Sequence, residues 1–376
     1  MTPELTAVAA AKINLALRVG PRRADGYHPL NSLFHSVDLV ERVTVTASAA
    51  GGDELAVSGL QADAVPLDQT NLTLRAAELL RGRFGPLSPV YLRIDKAIPV
   101  AGGLAGGSAD GAAALVVLNA WWGLGLSRLQ LVELAAELGS DVPFAVLGAG
   151  LANPAVADGV SGLVPGPALT LPQRDALSTP PVSDPTAGLP SQRGNGVGAR
   201  FEADPAAPQA CAGGNALGRG RGEDLRPVQS AGTFEWVLVT SADGLSTPEV
   251  FARFDAMGAA RGLTEPPDVP EALLAGLAAG DPWRVGAHLV NDLQPAAFAL
   301  RPQLADTIEC ALAEGACGAL VSGSGPTVAC LTDSAAAAEA LRATLTERLS
   351  STHPPAAILR AAGPFPSGQA TLRAAP

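Results

Sequence analysis

The sequence of 376 residues predicts an α+β layer architecture. Three observations carry this. Strand-like runs open the chain, at 5–19 and again at 33–47. A strand at 90–95, VYLRID, runs through Lys96 into a glycine-rich loop and then at once into an alanine-rich apolar helix. Near the other end, 319–331 reads as strand, glycine turn and strand, and leads into a helix at 334–349.

The elements follow in order. Residues 5–19 alternate and close on LALRV, which suits a first strand, and LFHSVDLVERVTVTA (33–47) gives one or two more. TNLTLRAAELLRGRF (70–84) has helical character with Thr70 or Asn71 as its cap. After the strand at 90–95 and the glycine loop, helices are expected at about 108–122 and 128–138. Gly139 then ends one helix, Ser140 or Asp141 caps the next, and Pro143 suits its first turn. From 151 to 214 the composition shifts to Pro, Gly, Ser and Ala, with Phe201 the only aromatic. No helical or strand period persists there, and an inserted, mostly disordered segment is expected. Order returns with a strand at 234–240, followed by helices near 247–257, 270–279 and 281–289. No internal repeat is evident.

Composition narrows the function. Hydrophobic residues make up 47% of the chain, which fits a globular protein with an ample core. The net charge of −11 argues against nonspecific binding to nucleic acid or an anionic membrane. An acidic protein that binds phosphates must gather cations or backbone dipoles locally. The four cysteines form no C-x-x-C pair and the four histidines are scattered, so neither a zinc site nor a disulfide framework is suggested, and a reducing cytoplasm is the simplest setting. The N-terminus does not read as a signal peptide. The uncharged run at 111–127 is short of a membrane span, and Asp110 stands at its entrance, so a buried helix is expected.

Several stretches could carry chemistry. Gly102-Gly-Leu-Ala-Gly-Gly107 has the glycine spacing of a Walker loop, but Ser108-Ala109 stand where Lys-Ser/Thr belongs, and no G-x-G-x-x-G occurs. Strand, glycine loop and helix is nonetheless the geometry in which peptide N–H groups bind an anion. A phosphate cradle and a structural turn both account for it. Ser108 could cap the helix, or touch phosphate oxygen or magnesium. The turn Ser322-Gly-Ser-Gly-Pro-Thr327 is by itself an ordinary connection between strands. Lys12 is a single charge in AAAKINLAL: an edge residue, or one aimed into a cleft. Tyr27-His28 is by default a surface turn.

The order of these stretches is specific where each one singly is not. AKINLAL, RADGYHPL, IPVAGGLAGGSADGAAA, GSDVPF, ALGRGRGEDLRPV, LSTPEVF, NDLQPAA and SGSGPTV together resemble the superfamily of galactokinase, homoserine kinase, mevalonate kinase and phosphomevalonate kinase. Within it they resemble the branch that phosphorylates a cytidine-diphosphate-linked methylerythritol in the non-mevalonate isoprenoid route. The resemblance covers about 1–150 and 215–350. It implies a two-domain small-molecule kinase fold with the active site in the inter-domain cleft. It divides the chain into an ATP-binding domain at 1–150, the insertion at 151–214, a return of the first domain at 215–232, a C-terminal domain at 233–350 and a tail at 351–376.

The same resemblance implies ATP-dependent transfer, with magnesium as Mg-ATP, to a tertiary 2-hydroxyl. Asp141 would match the catalytic carboxylate and Lys12 its cationic partner. Pro99, Val100, Ala101, Gly102, Gly103, Leu104, Ala105, Gly106, Gly107, Ser108 and Ala109 would hold the triphosphate, with Lys96 and Asn71 near the nucleotide base. Tyr27 and His28 would recognise cytidine, Asn14 the acceptor, and Thr247 and Phe251 would close the substrate pocket. The partner implied is this small cytidylyl substrate, in a monomer or homodimer, with neither nucleic acid nor membrane. Two departures stand out. Ala105 replaces the usual glycine, harmless only at negative φ, and Ala109 replaces a second serine. They leave a non-catalytic nucleotide-binding paralogue as the alternative, besides a kinase for mevalonate or homoserine. Retention of Lys12 and Asp141 argues against the paralogue, and Tyr27-His28 argues against the other acceptors.

Overall fold

The computed structural model describes residues 3–100, 102–151, 214–350 and 353–365. Nearly all of the expected insertion, and Ala101 of the glycine loop, lie outside the described residues. The chain builds two layers of sheet and helix. In the first, β1 (Leu5–Val19) and β2 (Leu30–Ala47) are long antiparallel partners. They are followed by β3 (Glu54–Gly59), α1 (Leu72–Phe84), β4 (Val90–Lys96), α2 (Gly106–Trp121), α3 (Arg128–Leu138), α4 (Val142–Gly148) and β5 (Gly150–Leu151). The sheet order is β3-β4-β2-β1-β5, and the parallel pairing of β3 with β4 is made through α1.

The hairpin of β6 (Asn215–Gly220) and β7 (Asp224–Val228) then adds to the N-terminal half of β2, while β4 pairs with its C-terminal half. Residues 215–228 thereby extend the first sheet. The second layer comprises β8 (Phe234–Thr240), α5 (Thr247–Ala256), α6 (Glu271–Ala279), α7 (Pro282–Gly286), α8 (Gln294–Leu300), α9 (Gln303–Ala313), β10 (Gly318–Val321), β11 (Val328–Thr332), α10 (Ala335–Leu349) and β12 (Ala357–Gly363), while β9 (Val290–Asn291), between α7 and α8, joins the first sheet. Its sheet runs β10-β11-β8-β12, antiparallel throughout.

Two expectations need correction. The region from 351 is more than a tail: β12 completes the second sheet against β8, and the Phe365 N–H donates to the Ser36 carbonyl at 3.1 Å, tying the chain end to β2. In AAILRAAG (356–363) Ile358 and Leu359 are adjacent and Arg360 shares a face with Ile358, so a short run flanked by Pro has no period-two pattern to show this strand. The helix expected at 281–289 is shorter, because β9 leaves it at Val290 to pair in parallel with β1. A two-residue strand has no sequence period at all.

Helix α2 shows why the core sits where it does. Ala109, Ala112, Ala113, Ala114, Leu115, Val117 and Leu118 are all fully buried, covered by the sheet on one side and by α1 and α4 on others. A helix apolar all round is a central helix, and small residues let its neighbours approach closely. The expectation of a buried rather than membrane helix holds, and among the described residues no helix is long and apolar enough to cross a membrane.

Candidate active site

Lys12 and Asn14 sit two apart on β1, so they project from the same face. Register shifts flank them, between Ala10 and Ala11 and between Asn14 and Ala16. Such bulges twist a strand and re-aim its side chains. Lys12 is 5% exposed; its ammonium donates to Asn14 Oδ1 at 2.5 Å and the Gly103 carbonyl at 3.3 Å, and forms an ion pair with Asp141 Oδ2 at 3.3 Å. Asn14 in turn donates to Ser32 Oγ at 2.8 Å, and that hydroxyl donates to the Ala16 carbonyl at 3.0 Å. A buried charge persists only when it is fully paired, and this one is. It is a cleft lysine and not an edge residue.

Asp141 occupies the N-cap position of α4, yet its side chain makes no capping bond. The capping account of GSDVP therefore gives the position without the side chain's use. The carboxylate is turned to Lys12 and into a cleft of about 570 Å³.

The glycine loop forms the facing wall. Gly103 has φ +75°, and a Cβ there would run into the Ser322 carbonyl. The loop lies directly on the Ser322–Thr327 turn: Ser322 Oγ donates to the Gly103 carbonyl at 3.0 Å, and the Thr327 N–H to that of Gly102 at 3.3 Å. Asn291 fixes this turn to the first layer by donating to the Val321 and Gly323 carbonyls, both at 2.7 Å. In the same motif Gln294 Oε1 accepts from the Val321 N–H at 2.9 Å. NDLQ is thus a clamp on the loop's support.

Helix α2 starts at Gly106 with Ala105 as its N-cap in left-handed conformation, φ 61° and ψ 34°, and no side chain caps it. Ser108 lies inside the first turn, so its capping role is excluded. Gly106, Gly107 and Ser108 line the cleft together with Lys12, Asn14 and Asp141. An uncapped helix N-terminus aimed into a cleft offers an anion free N–H groups and the positive end of the helix dipole.

Other expected contacts lie elsewhere. Lys96 is buried between Glu41 Oε1 at 2.6 Å and Asp110 Oδ2 at 2.8 Å. Burial pushes both carboxyls up from the usual range, because desolvation penalises their charged forms. Glu41 also accepts from the N–H groups of Ala97 and Ile98 at 3.0 and 3.2 Å, at the loop's entrance. Lys96 therefore anchors the loop from below and does not line the cleft. Asn71 caps α1 by accepting from the Thr73 N–H, and donates to the Pro66 carbonyl, each at 2.8 Å. Leu104 and Ala109 are buried in the core, and the Val100 N–H is held by Gln61 Oε1 at 2.8 Å. Neither Pro99 nor Val100 is among the cleft's lining residues.

A second cavity of about 640 Å³ adjoins the first, sharing Leu30, Ser140, Arg221, Thr247, Pro248 and Phe251 with it. Tyr27 and His28 line it. The Tyr27 N–H donates to Asp25 Oδ1 at 3.0 Å, a turn that leaves the phenol ring 52% exposed. His28 is stacked on Phe251 with ring centroids 5.0 Å apart, and its Nε2 lies 2.8 Å from Asp255 Oδ1. Thr247 Oγ1 is 2.8 Å from Ser324 Oγ, joining α5 to the tip of the glycine turn. Sequence reasoning gave no role to Glu41, Ser32, Arg221 or Asp255. Glu41 stands beside Arg42 in LVERV, an ordinary pair of opposite charges on a strand, so no sequence signal separates it from a solvated residue.

Residues 71–149 match the family described as GHMP kinases N terminal domain, and 273–351 match GHMP kinases C terminal. A 4-diphosphocytidyl-2-C-methyl-D-erythritol kinase of Thermobifida fusca is 42% identical over 347 residues, spanning 91% of each chain. The enzyme so named in Streptomyces coelicolor is 40% identical over 334 residues, 89% of each. Among solved structures, a 4-(cytidine 5'-diphospho)-2C-methyl-D-erythritol kinase superposes with TM-score 0.62 at 26% identity, covering 96% of this chain and all of that one. A homoserine kinase of Cytophaga hutchinsonii shares the fold, with TM-score 0.61 at 16% identity and 98% and 96% of the two chains covered.

Proposed function

The chain belongs to the GHMP kinases, in the family of the 4-diphosphocytidyl-2-C-methyl-D-erythritol kinases, and on that premise we propose how its cleft transfers phosphate from ATP to the 2-hydroxyl of that cytidylyl alcohol. The protein is an ATP-dependent small-molecule kinase of the non-mevalonate isoprenoid route. The single observation that carries the residue roles is the Lys12–Asp141 pair at 3.3 Å, in a cleft whose opposite wall is the uncapped start of α2.

The triphosphate takes the N–H groups of Gly106, Gly107 and Ser108, where helix dipole and peptide donors favour negative charge. Magnesium would enter with the nucleotide as Mg-ATP, and the Ser108 hydroxyl, which lines the same wall, would serve it as a side-chain oxygen. The acceptor hydroxyl lies by Asp141. Its oxygen bonds to the γ-phosphorus as the bond from that phosphorus to the β-bridging oxygen breaks, ADP leaves, and the hydroxyl proton passes to the Asp141 carboxylate. Lys12, held by Asn14, Gly103 and Asp141, supplies fixed positive charge beside the transferring group without needing to reorganise. Tyr27, His28 and Phe251 supply aromatic faces for a pyrimidine in the adjoining cavity. A reducing cytoplasm suits three cysteines that are free among the described residues.

Incubation with Mg-ATP and the cytidylyl substrate, followed by ADP release and phosphorus NMR, tests this. A new phosphomonoester is expected from that acceptor and not from mevalonate or homoserine. Asp141→Asn should lower kcat by about 10²–10⁴-fold with ATP affinity unchanged. Full turnover by that variant would remove Asp141 from the chemistry.

A further inference from the structure

Arg221 stands at the tip of the β6–β7 hairpin, in the turn between Gly220 and Gly222, whose φ values of +74° and +116° shape it. Its guanidinium carbon lies 3.8 Å from the centroid of the exposed Tyr27 ring. Among the described residues that stack is its one side-chain partner: no carboxylate pairs with it, and its buried Nε has no hydrogen-bond acceptor. A guanidinium offers five donors in a plane, and the buried Nε–H among them is costly to leave without an acceptor unless a ligand answers it.

The surroundings sharpen the point. Three carboxylates line the same cavity, and each is engaged elsewhere. Glu137 pairs with Arg83 at 2.5 Å. Asp255 meets His28 at 2.8 Å and Arg22 at 3.9 Å. Glu223 accepts from the Arg221 backbone N–H at 2.5 Å, which braces the turn without neutralising the side chain. Of the two cavities' cationic side chains, Lys12 lines only the first and Arg22 only the second. Arg221 alone lines both.

We infer that Arg221 is the residue that binds the diphosphate bridge of the cytidylyl substrate, resting on the function proposed above. That substrate has its base at one end and its reacting hydroxyl at the other. With the base against Tyr27 and the hydroxyl at Asp141, the diphosphate crosses the junction that Arg221 lines. The planar fork suits two phosphate oxygens at once, and the Tyr27 ring holds that plane in place before the ligand arrives. A cation at this junction also separates cytidine diphosphates from uncharged nucleosides.

The test compares CDP with cytidine by calorimetry, on wild type, Arg221→Gln and Arg221→Lys, alongside steady-state kinetics. Wild type should bind CDP about 10-fold or more tighter than cytidine. Arg221→Gln should collapse that ratio and leave cytidine affinity unchanged, while KM for the cytidylyl substrate rises about 10-fold or more and KM for ATP holds. Arg221→Lys, which keeps the charge, should retain part of the preference. A merely structural role would move both ligands together. The inference is overturned, with the kinase reading intact, if wild type phosphorylates the substrate and both variants keep its CDP-to-cytidine ratio. Wild type that neither turns over the substrate nor binds CDP overturns both.

Discussion

Ala105 shows what a single residue decides in this loop. Its φ of 61° puts a side-chain-bearing residue in the left-handed region at the very start of α2. The clash of Cβ with the backbone there costs about 1–2 kcal/mol, so the sequence-level condition that the departure is harmless is not met. The strain is local, however: Lys12, Asp141 and the free N–H groups are all in position around it. Ala105→Gly should therefore stabilise the protein by about 0.5–1 kcal/mol, since glycine's extra unfolded-state entropy offsets part of the relief. Thermal unfolding measures it, with a rise of about 1–3 °C expected for a chain of this size. A fall in melting temperature would show that the loop relaxes around alanine at no cost.

At the scale of elements, the site is a junction of five. Strand β1 supplies Lys12 and Asn14, α4 supplies Asp141, α2 supplies its N-terminus, and the turn between β10 and β11 supports the glycine loop, with β9 holding that turn through Asn291. The loop cannot shift alone, because Gly103 touches the Ser322 carbonyl and its own carbonyl accepts from both Ser322 Oγ and Lys12 Nζ. Gly103→Ala would place Cβ into that carbonyl at a φ that L-residues rarely adopt. It should raise KM for ATP by about 10-fold or more, with a smaller change for the acceptor, because the cradle's peptide groups are displaced. Steady-state kinetics against each substrate separates the two. Equal effects on both would mean that the loop serves the whole cleft as scaffold.

At the scale of the molecule, one buried imidazole joins the two layers. His35 on β2 is fully buried; it accepts at Nε2 from the Trp236 indole N–H on β8 at 3.1 Å, which leaves Nδ1 to donate to Asn215 Oδ1 at 2.6 Å. Burial pushes its pKa down to about 4 from 6.5. The unfolded chain therefore takes up the proton first as pH falls. The contribution is whole above about pH 6.5 and is lost progressively down to about pH 4, on the order of 3 kcal/mol. Glu41 and Asp110 act in the opposite sense, since burial raises their pKa values and the folded state then holds their protons more tightly. The difference between wild type and His35→Asn isolates the imidazole. The gap in unfolding free energy should narrow between pH 6.5 and 4, and a gap independent of pH would mean that His35 is protonated where it lies.

Much of this was legible in the chain. Period-two runs gave β1 and β2, a glycine run before an apolar stretch gave the loop and α2, and the order of short motifs gave the kinase fold and both ends of the substrate. These are local patterns, set by backbone sterics and by which face of an element is apolar. What the sequence left open depends on distance through space. That Lys96, placed by resemblance near the nucleotide base, shares its charge with Glu41, 55 positions upstream, is not visible in the chain. Asp141 looked like a helix cap until its carboxylate turned to Lys12. Strand β12 and the two-residue β9 exist only because another strand edge awaits their backbone groups. The sequence determined which elements form and which chemistry they can carry. The tertiary structure decided which charges are paired in the core and which remain free in the cleft, because pairing and burial are properties of neighbours that the chain order does not record.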